Sequence, residues 1–132
     1  MRTAMALLVV LLVGARGDVA GESGASYFLN GNELKAGLDT WNRGMRSPES
    51  LSFLSYEDRL SGTMAIGYVT GIYDFLQERR LSCGPQEVTR QQIADMVSTF
   101  LADHPDKRHF GAAGLTWITL DQAFPCAKGK AP

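Results

Sequence analysis

SYEDRLSGTMAIGYVTGIYDFLQERR, residues 55–80, is the stretch on which the fold turns. Leu60, Met64, Tyr68, Ile72 and Leu76 recur every four residues, with Ala65, Val69 and Phe75 beside them. That spacing predicts a helix buried along one broad face, since a strand would alternate every second residue. Ser55 suits its N-cap, and Asp58, three residues on, faces the positive end of the helix dipole. Gly67 and Gly71 lie one turn apart on either side of Tyr68. Each glycine costs a helix about 1 kcal/mol against alanine, so Gly67, Tyr68 and Gly71 are expected to mark a close contact with another helix. Two tolerated glycines in a helix anchored elsewhere are the alternative. A membrane-dimerisation motif fails on length: the apolar run is about nine residues, where a span needs about twenty.

Before this helix, Asn30 followed by Glu33 resembles a capping box that opens a helix through Leu34, Ala36, Leu38 and Trp41, which Gly44 ends. Residues 43–54 form a connection with room for one short turn starting at Pro48. After the central helix, Cys83-Gly84-Pro85 forces a break. Thr89 with Gln92 is the clearest helix start in the chain. Ile93, Met96, Val97, Phe100 and Leu101 follow it on one face, until Pro105 stops the helix. A polar loop then leads to a last helix from about Gly111 to Ala123, apolar at Leu115, Ile118 and Phe124 with Trp117 and Leu120 beside them. The predicted fold is all-α, a small bundle of four to five helices.

At the other end of the chain, Met1-Arg2 and the apolar run Ala4 to Val13 read as a secretory signal peptide. The run is too short to span a membrane. Cleavage after Gly17 is favoured over cleavage after Ala20, which would put Asp18 where a small neutral residue is preferred. The expected organisation is a signal peptide over 1–17, with its end between 17 and 20, then a flexible lead-in over 18–29. One helical domain over 30–126 and a disordered tail over 127–132 complete it, because about 110 residues suffice for a single core. Loss of residues 1–17 would remove Arg2 and Arg16, leaving 11 basic against 14 acidic residues and a net charge of −3. That balance offers no electrostatic footprint for nucleic acid and no polybasic patch for a membrane.

Cys83 and Cys126 sit just outside helices in a chain destined for a compartment where disulfides persist, so they are expected to pair. Closing a loop of about 44 residues would remove unfolded-chain entropy worth roughly 4 kcal/mol. A Cys2His2 metal site with His104 and His109 is an alternative with acceptable histidine spacing, but it lacks the close cysteine pair of a zinc finger. A nucleophilic Cys83 with His104 as base is the other, in conflict with export, which oxidises such thiols. Asp58 and Asp74 lie more than four helical turns apart and cannot act on one substrate atom. No nucleophile elbow, phosphate-binding glycine loop or His-Glu-x-x-His motif occurs. No catalytic residue, metal or cofactor is expected.

Taken in order, Gly31-Asn32-Glu33-Leu34, Gly67-Tyr68-Val69 with Gly71 and Asp74, Cys83, Pro85, Val88-Thr89, Gln92, His104-Pro105 with His109, Ala112-Ala113 and Ala123-Phe124-Pro125-Cys126 resemble the Rap/Tai immunity proteins. These protect bacteria against peptidoglycan amidase toxins of the type VI secretion system. The resemblance runs over residues 31–126. It implies a small helical periplasmic protein, often dimeric, that binds and blocks an amidase and does no catalysis itself. Many similar chains carry two further cysteines, about where this one has Leu38 and Ala65; the first helix is then expected to hold to the central one by packing alone. The alternative function is a general envelope binding module or chaperone-like protein with no cognate toxin.

A partner would meet the loop Asp103 to Phe110, because a convex segment held at both ends enters a cleft with little ordering cost. Asp103, His104, Asp106, Lys107, Arg108 and His109 are its candidate contacts, with carboxylates to accept hydrogen bonds and imidazoles to donate or accept them. The other reading makes His104-Pro105 a helix stop and His109 a cap. The connection 43–54, with Arg43 and Arg46, is the second candidate surface.

Overall fold

The computed structural model describes residues 28–126. The expected signal peptide, the lead-in up to Tyr27 and the tail from Ala127 fall outside that range. Five α-helices follow in order: α1 (Gly31–Gly44), α2 (Pro48–Ser52), α3 (Tyr56–Glu78), α4 (Arg90–Asp103) and α5 (Ala112–Ala123), with a 3-10 turn at Pro105–Lys107 between the last two.

The helix starts are set by short-range chemistry. Asn30 accepts from the Asn32 and Glu33 amides while Glu33 returns a bond to the Asn30 amide, and Thr89 and Gln92 repeat the same reciprocal cap on α4. Ser55 accepts from the Asp58 amide, and Ser47 caps α2 with Pro48 at the first helical position. Such caps satisfy amides that have no partner inside the helix. α3 ends before the Cys83-Gly84-Pro85 break. Leu81 N–H donates back to the Leu76 carbonyl and Arg80 N–H to that of Gln77, with Arg80 in the left-handed region at φ 55°.

The core gathers Leu34 and Leu38 from α1, Ala65, Ile66, Val69, Tyr73 and Leu76 from α3, Ile93, Val97, Phe100 and Leu101 from α4, and Leu115 and Leu120 from α5. α3 is therefore central, as expected, but its buried face is not the one its four-residue spacing suggests. Residues four apart drift about 40° around a helix of 3.6 residues per turn. Leu60 and Met64 consequently end up 47 % exposed, Tyr68 and Ile72 half-buried, and only Leu76 fully inside.

The same rotation corrects the expected glycine contact. Gly67 and Gly71 are exposed, and a Cβ on either would meet nothing within 4 Å. Neither touches another helix of the described chain, and Tyr68 between them is half-buried, its ring stacked against Phe28. The close contact lies between α1 and α3 at a different pair. A Cβ on Gly37 would fall 2.6 Å from that of Ala65, and one on Gly62 would fall 3.0 Å from the Trp41 amide nitrogen. α1 meets α3 there through backbone and small side chains, with Leu38 and Ala65 both buried.

α5 departs from its expected stripe for a related reason. Trp117 and Ile118 are about half exposed, whereas Thr116 and Thr119 are buried. Thr119 donates its hydroxyl to the Leu115 carbonyl one turn back, which lets it present a methyl group to the core.

The disulfide is formed as expected. Cys83 and Cys126, 43 residues apart with Cα atoms at 5.0 Å, join the start of the α3–α4 connection to the end of α5. Beside it, the buried Tyr73 hydroxyl donates to the Pro85 carbonyl at 2.6 Å and Gln77 donates to that of Gly84.

Candidate partner-binding loop

The segment between α4 and α5 is braced from three directions. α4 stops at Asp103; Pro105 then begins the 3-10 turn, in which Lys107 N–H donates to the His104 carbonyl and Phe110 N–H to that of Lys107. The His104 Nδ1–H donates to the Phe100 carbonyl at 2.9 Å, and its ring stacks on Phe100 with centroids 4.3 Å apart. Arg108 turns back and donates from Nε to the Leu101 carbonyl and from Nη2 to that of Ala102 at 3.1 Å. A cation placed on the last carbonyls of a helix also meets the negative end of its dipole.

The third brace comes from far away in sequence. Gly31 N–H donates to the Phe110 carbonyl and Asn32 N–H to that of Arg108, both at 3.0 Å. These are first-turn amides of α1, which its own helix cannot satisfy. An antiparallel bridge between Asn30 and Gly111, together with the Ala112 amide on the Leu29 carbonyl, completes the seam. The loop is thus a cap for α1 as well as a connection to α5.

This bracing divides the six candidate contact residues. His104, Lys107 and Arg108 are partly buried, with Lys107 Nζ 5.7 Å from the centre of the Phe100 ring. His104 and Arg108 spend their donors on α4. Asp103, Asp106 and His109 are exposed, and it is these that a partner could reach. His109 does not cap α5, whose N-cap is Gly111 without a side-chain bond. Its ring lies 4.0 Å from that of Phe110, which is itself 50 % exposed. Sequence reasoning passed over Phe110; the signal was an aromatic residue set between a polar loop and Gly111, belonging to no helical stripe.

Phe110 also forms one wall of a cleft of about 520 Å³ lined by Phe28, Tyr68, Ala113, Leu115 and Ile118. Aromatic residues are enriched at the cores of protein–protein interfaces, so this hollow beside the braced loop is a second place for a partner to touch. The bond between Cys83 and Cys126 removes both thiols from the Cys2His2 and nucleophile alternatives. Among the described residues no group of three or more His, Cys, Asp or Glu could hold a metal ion, and no helix is long and apolar enough to cross a membrane. The connection 43–54, the second candidate surface, contains α2 and leaves Phe53 86 % exposed.

Comparison with protein families matches residues 44–126 to Rap1a immunity proteins, more than half of the chain. The chain belongs to the Rap1a immunity protein family. The match begins at the last residue of α1 and takes in α2 to α5, the braced loop and both cysteines. As a Rap1a protein the chain is an immunity protein, whose family role is to neutralise a partner protein, so an exposed and pre-ordered loop is the feature to ask about. The α1 that holds this loop from behind lies almost wholly outside the matched span. No curated protein matches the chain.

Proposed function

We propose that this Rap1a family member is a periplasmic immunity protein of the type VI secretion system that binds and blocks a peptidoglycan amidase effector, without catalysis of its own. The observation that carries this reading is the loop Asp103 to Phe110, held at both ends by helices and from behind by the first-turn amides of α1. A segment already fixed in shape loses little conformational freedom on entering a cleft, so more of its contact energy survives as affinity. Asp103, Asp106 and His109 supply polar contacts with Lys107 beside them, Phe110 supplies an aromatic anchor, and His104 and Arg108 hold the shape. The signal peptide read over residues 1–17 and the disulfide fit an oxidising envelope compartment.

The test is to look for an amidase gene beside this chain's own and to measure inhibition of its product; absence of such a gene counts against this reading. Wild-type protein should abolish cleavage of peptidoglycan at equimolar concentration, and the Asp106→Ala/Lys107→Ala/His109→Ala variant should not, while keeping its helical content. Full inhibition by that variant places the contact elsewhere. Proteins of this resemblance are often dimeric; the exposed side chains of Leu60, Met64 and Phe75 along α3 offer a face for a second copy, and light scattering measures the outcome.

A general envelope binding module is the second reading. One observation favours it, the aromatic cleft of Phe28, Tyr68 and Phe110, which would take unfolded clients. Suppression of aggregation of unrelated denatured proteins, with no amidase bound, would select it.

A further inference from the structure

A second hollow runs on the other side of Phe100, along the groove between α4 and α5. Near the disulfide it holds about 540 Å³ over Pro85, Val88, Met96 and Phe124, with Glu87 and Asp95 on its rim. Towards the loop it continues, through the shared Asp95 and Met96, into a shallower part of about 520 Å³ that ends at Asp103 and His104. The continuity follows from helix geometry. Gln92, Asp95, Met96, Thr99 and Asp103 are spaced three, four, seven and eleven residues from the first, on one face of α4.

The groove has an apolar floor and an acidic rim. Val88, Met96 and Phe124 are half-buried against the core; Glu87 and Asp95 share their hollow, and a third carboxylate, Asp103, lies at the far end of the groove. No lysine or arginine lines either part. The ion pair found among the described residues, Lys35 with Asp39, lies on α1. Asp95 accepts one hydrogen bond from Gln91 and carries its charge uncompensated. Like charges gathered beside apolar surface raise the local potential and repel one another until a cation arrives.

We infer that the α4–α5 groove takes a basic segment of the effector, with lysine or arginine stems laid along Val88, Met96 and Phe124, their charged heads on Glu87 and Asp95, and a further cation at Asp103 where the groove ends. Long cationic side chains combine these two demands, since their methylene stems cover apolar surface while the heads stay among carboxylates. The inference rests on the amidase reading above. Peptidoglycan stem peptides carry free carboxylates, so an enzyme that grips them has use for basic residues around its cleft, and an inhibitor covering that cleft would gain by offering acids in the substrate's place. Because the groove ends at Asp103 and His104, a partner seated on the loop lies at its mouth. Exposed rim charges act chiefly on the rate and salt dependence of association.

The experiment uses the full chain and a catalytically inactive form of the cognate amidase of the proposed function, with association followed at low and high salt. Glu87→Lys/Asp95→Asn removes the acidic rim while leaving an acceptor at position 95 for the Gln91 amide, which also bonds Asn42 of α1. We expect its association rate at low salt to fall at least tenfold and the salt dependence to flatten, with an unchanged melting temperature. Wild-type rates for this variant, while the loop variant Asp106→Ala/Lys107→Ala/His109→Ala has lost binding, would overturn the groove assignment and leave the inhibitor reading standing. Failure of the wild-type protein to bind the amidase would overturn both. A third outcome reassigns the groove to this chain's own Lys128 and Lys130: without amidase, removal of residues 127–132 and loss of the acidic rim would then lower the melting temperature by the same, non-additive amount.

Discussion

Gly31 and Arg108 meet with no space between them: a Cβ on Gly31 would lie 2.8 Å from both the Cα and the carbonyl oxygen of Arg108. That contact joins the start of α1 to the loop before α5 through backbone, where neither side can yield. Gly31→Ala should push the loop outward, break the Asn32 to Arg108 hydrogen bond and cost about 1–3 kcal/mol of stability. Amide exchange at Gly31 and Asn32 should speed up. Unchanged protection at both would show that the loop is held by α4 alone.

Arg108 is predicted to act by position and not by contact. Arg108→Ala frees the Leu101 and Ala102 carbonyls and should lower stability by about 1–2 kcal/mol. If the proposed function holds, affinity for the effector should fall further than stability does, because the loop must then be ordered on binding. Arg108→Lys should restore the helix-end charge but not the two-nitrogen fork, and so recover part of each loss. Measuring unfolding free energy and affinity on the three proteins separates the two effects.

The two glycine pairs should behave in opposite ways. Gly37→Ala and Gly62→Ala press into the α1–α3 contact and should each cost about 1–3 kcal/mol in urea unfolding. Gly71→Ala meets open space and removes a residue that weakens helices, so it should stabilise by up to about 1 kcal/mol. A strong loss for Gly71→Ala, with a change in particle size, would mean that a second copy covers this face.

Reduction of Cys83–Cys126 should destabilise the protein by about 2–4 kcal/mol, because the bond ties two segments 43 residues apart. Mass spectrometry of alkylated, unreduced protein should show no labelled thiol. The same corner contains Tyr73, whose pKa is raised above its ordinary value by burial and further by the neighbouring Asp74, against a lowering contribution from Gln77. A group with a raised folded-state pKa contributes stability below about pH 10, its unfolded value, and loses it as pH climbs through the folded value. The wild-type melting temperature should therefore decline at alkaline pH more steeply than that of Tyr73→Phe. At neutral pH that variant should be about 1 kcal/mol less stable, having left the Pro85 carbonyl without its donor.

The helix starts at Asn30, Ser55 and Thr89, the stop at Pro105 and the pairing of Cys83 with Cys126 were legible in the sequence. Each depends on chemistry within a few residues or on the compartment, and a cap needs no knowledge of what the helix will pack against. The buried face of α3 was not legible in this way. A four-residue spacing winds around the helix, so Leu60 and Leu76 cannot share one face, and the choice between them was made by Gly37 of α1, which fits only where α3 offers Ser61 and Ala65. The loop shows the same division. Its residue types marked it as a place to meet a partner, but that Arg108 serves α4 while Asp103, Asp106 and His109 remain free was decided by the tertiary fold. The physical reason is that α1, more than seventy residues earlier in the chain, has first-turn amides with no partner inside the helix: Gly31 finds the Phe110 carbonyl, and Asn32 shares its N–H between the Asn30 cap and the Arg108 carbonyl.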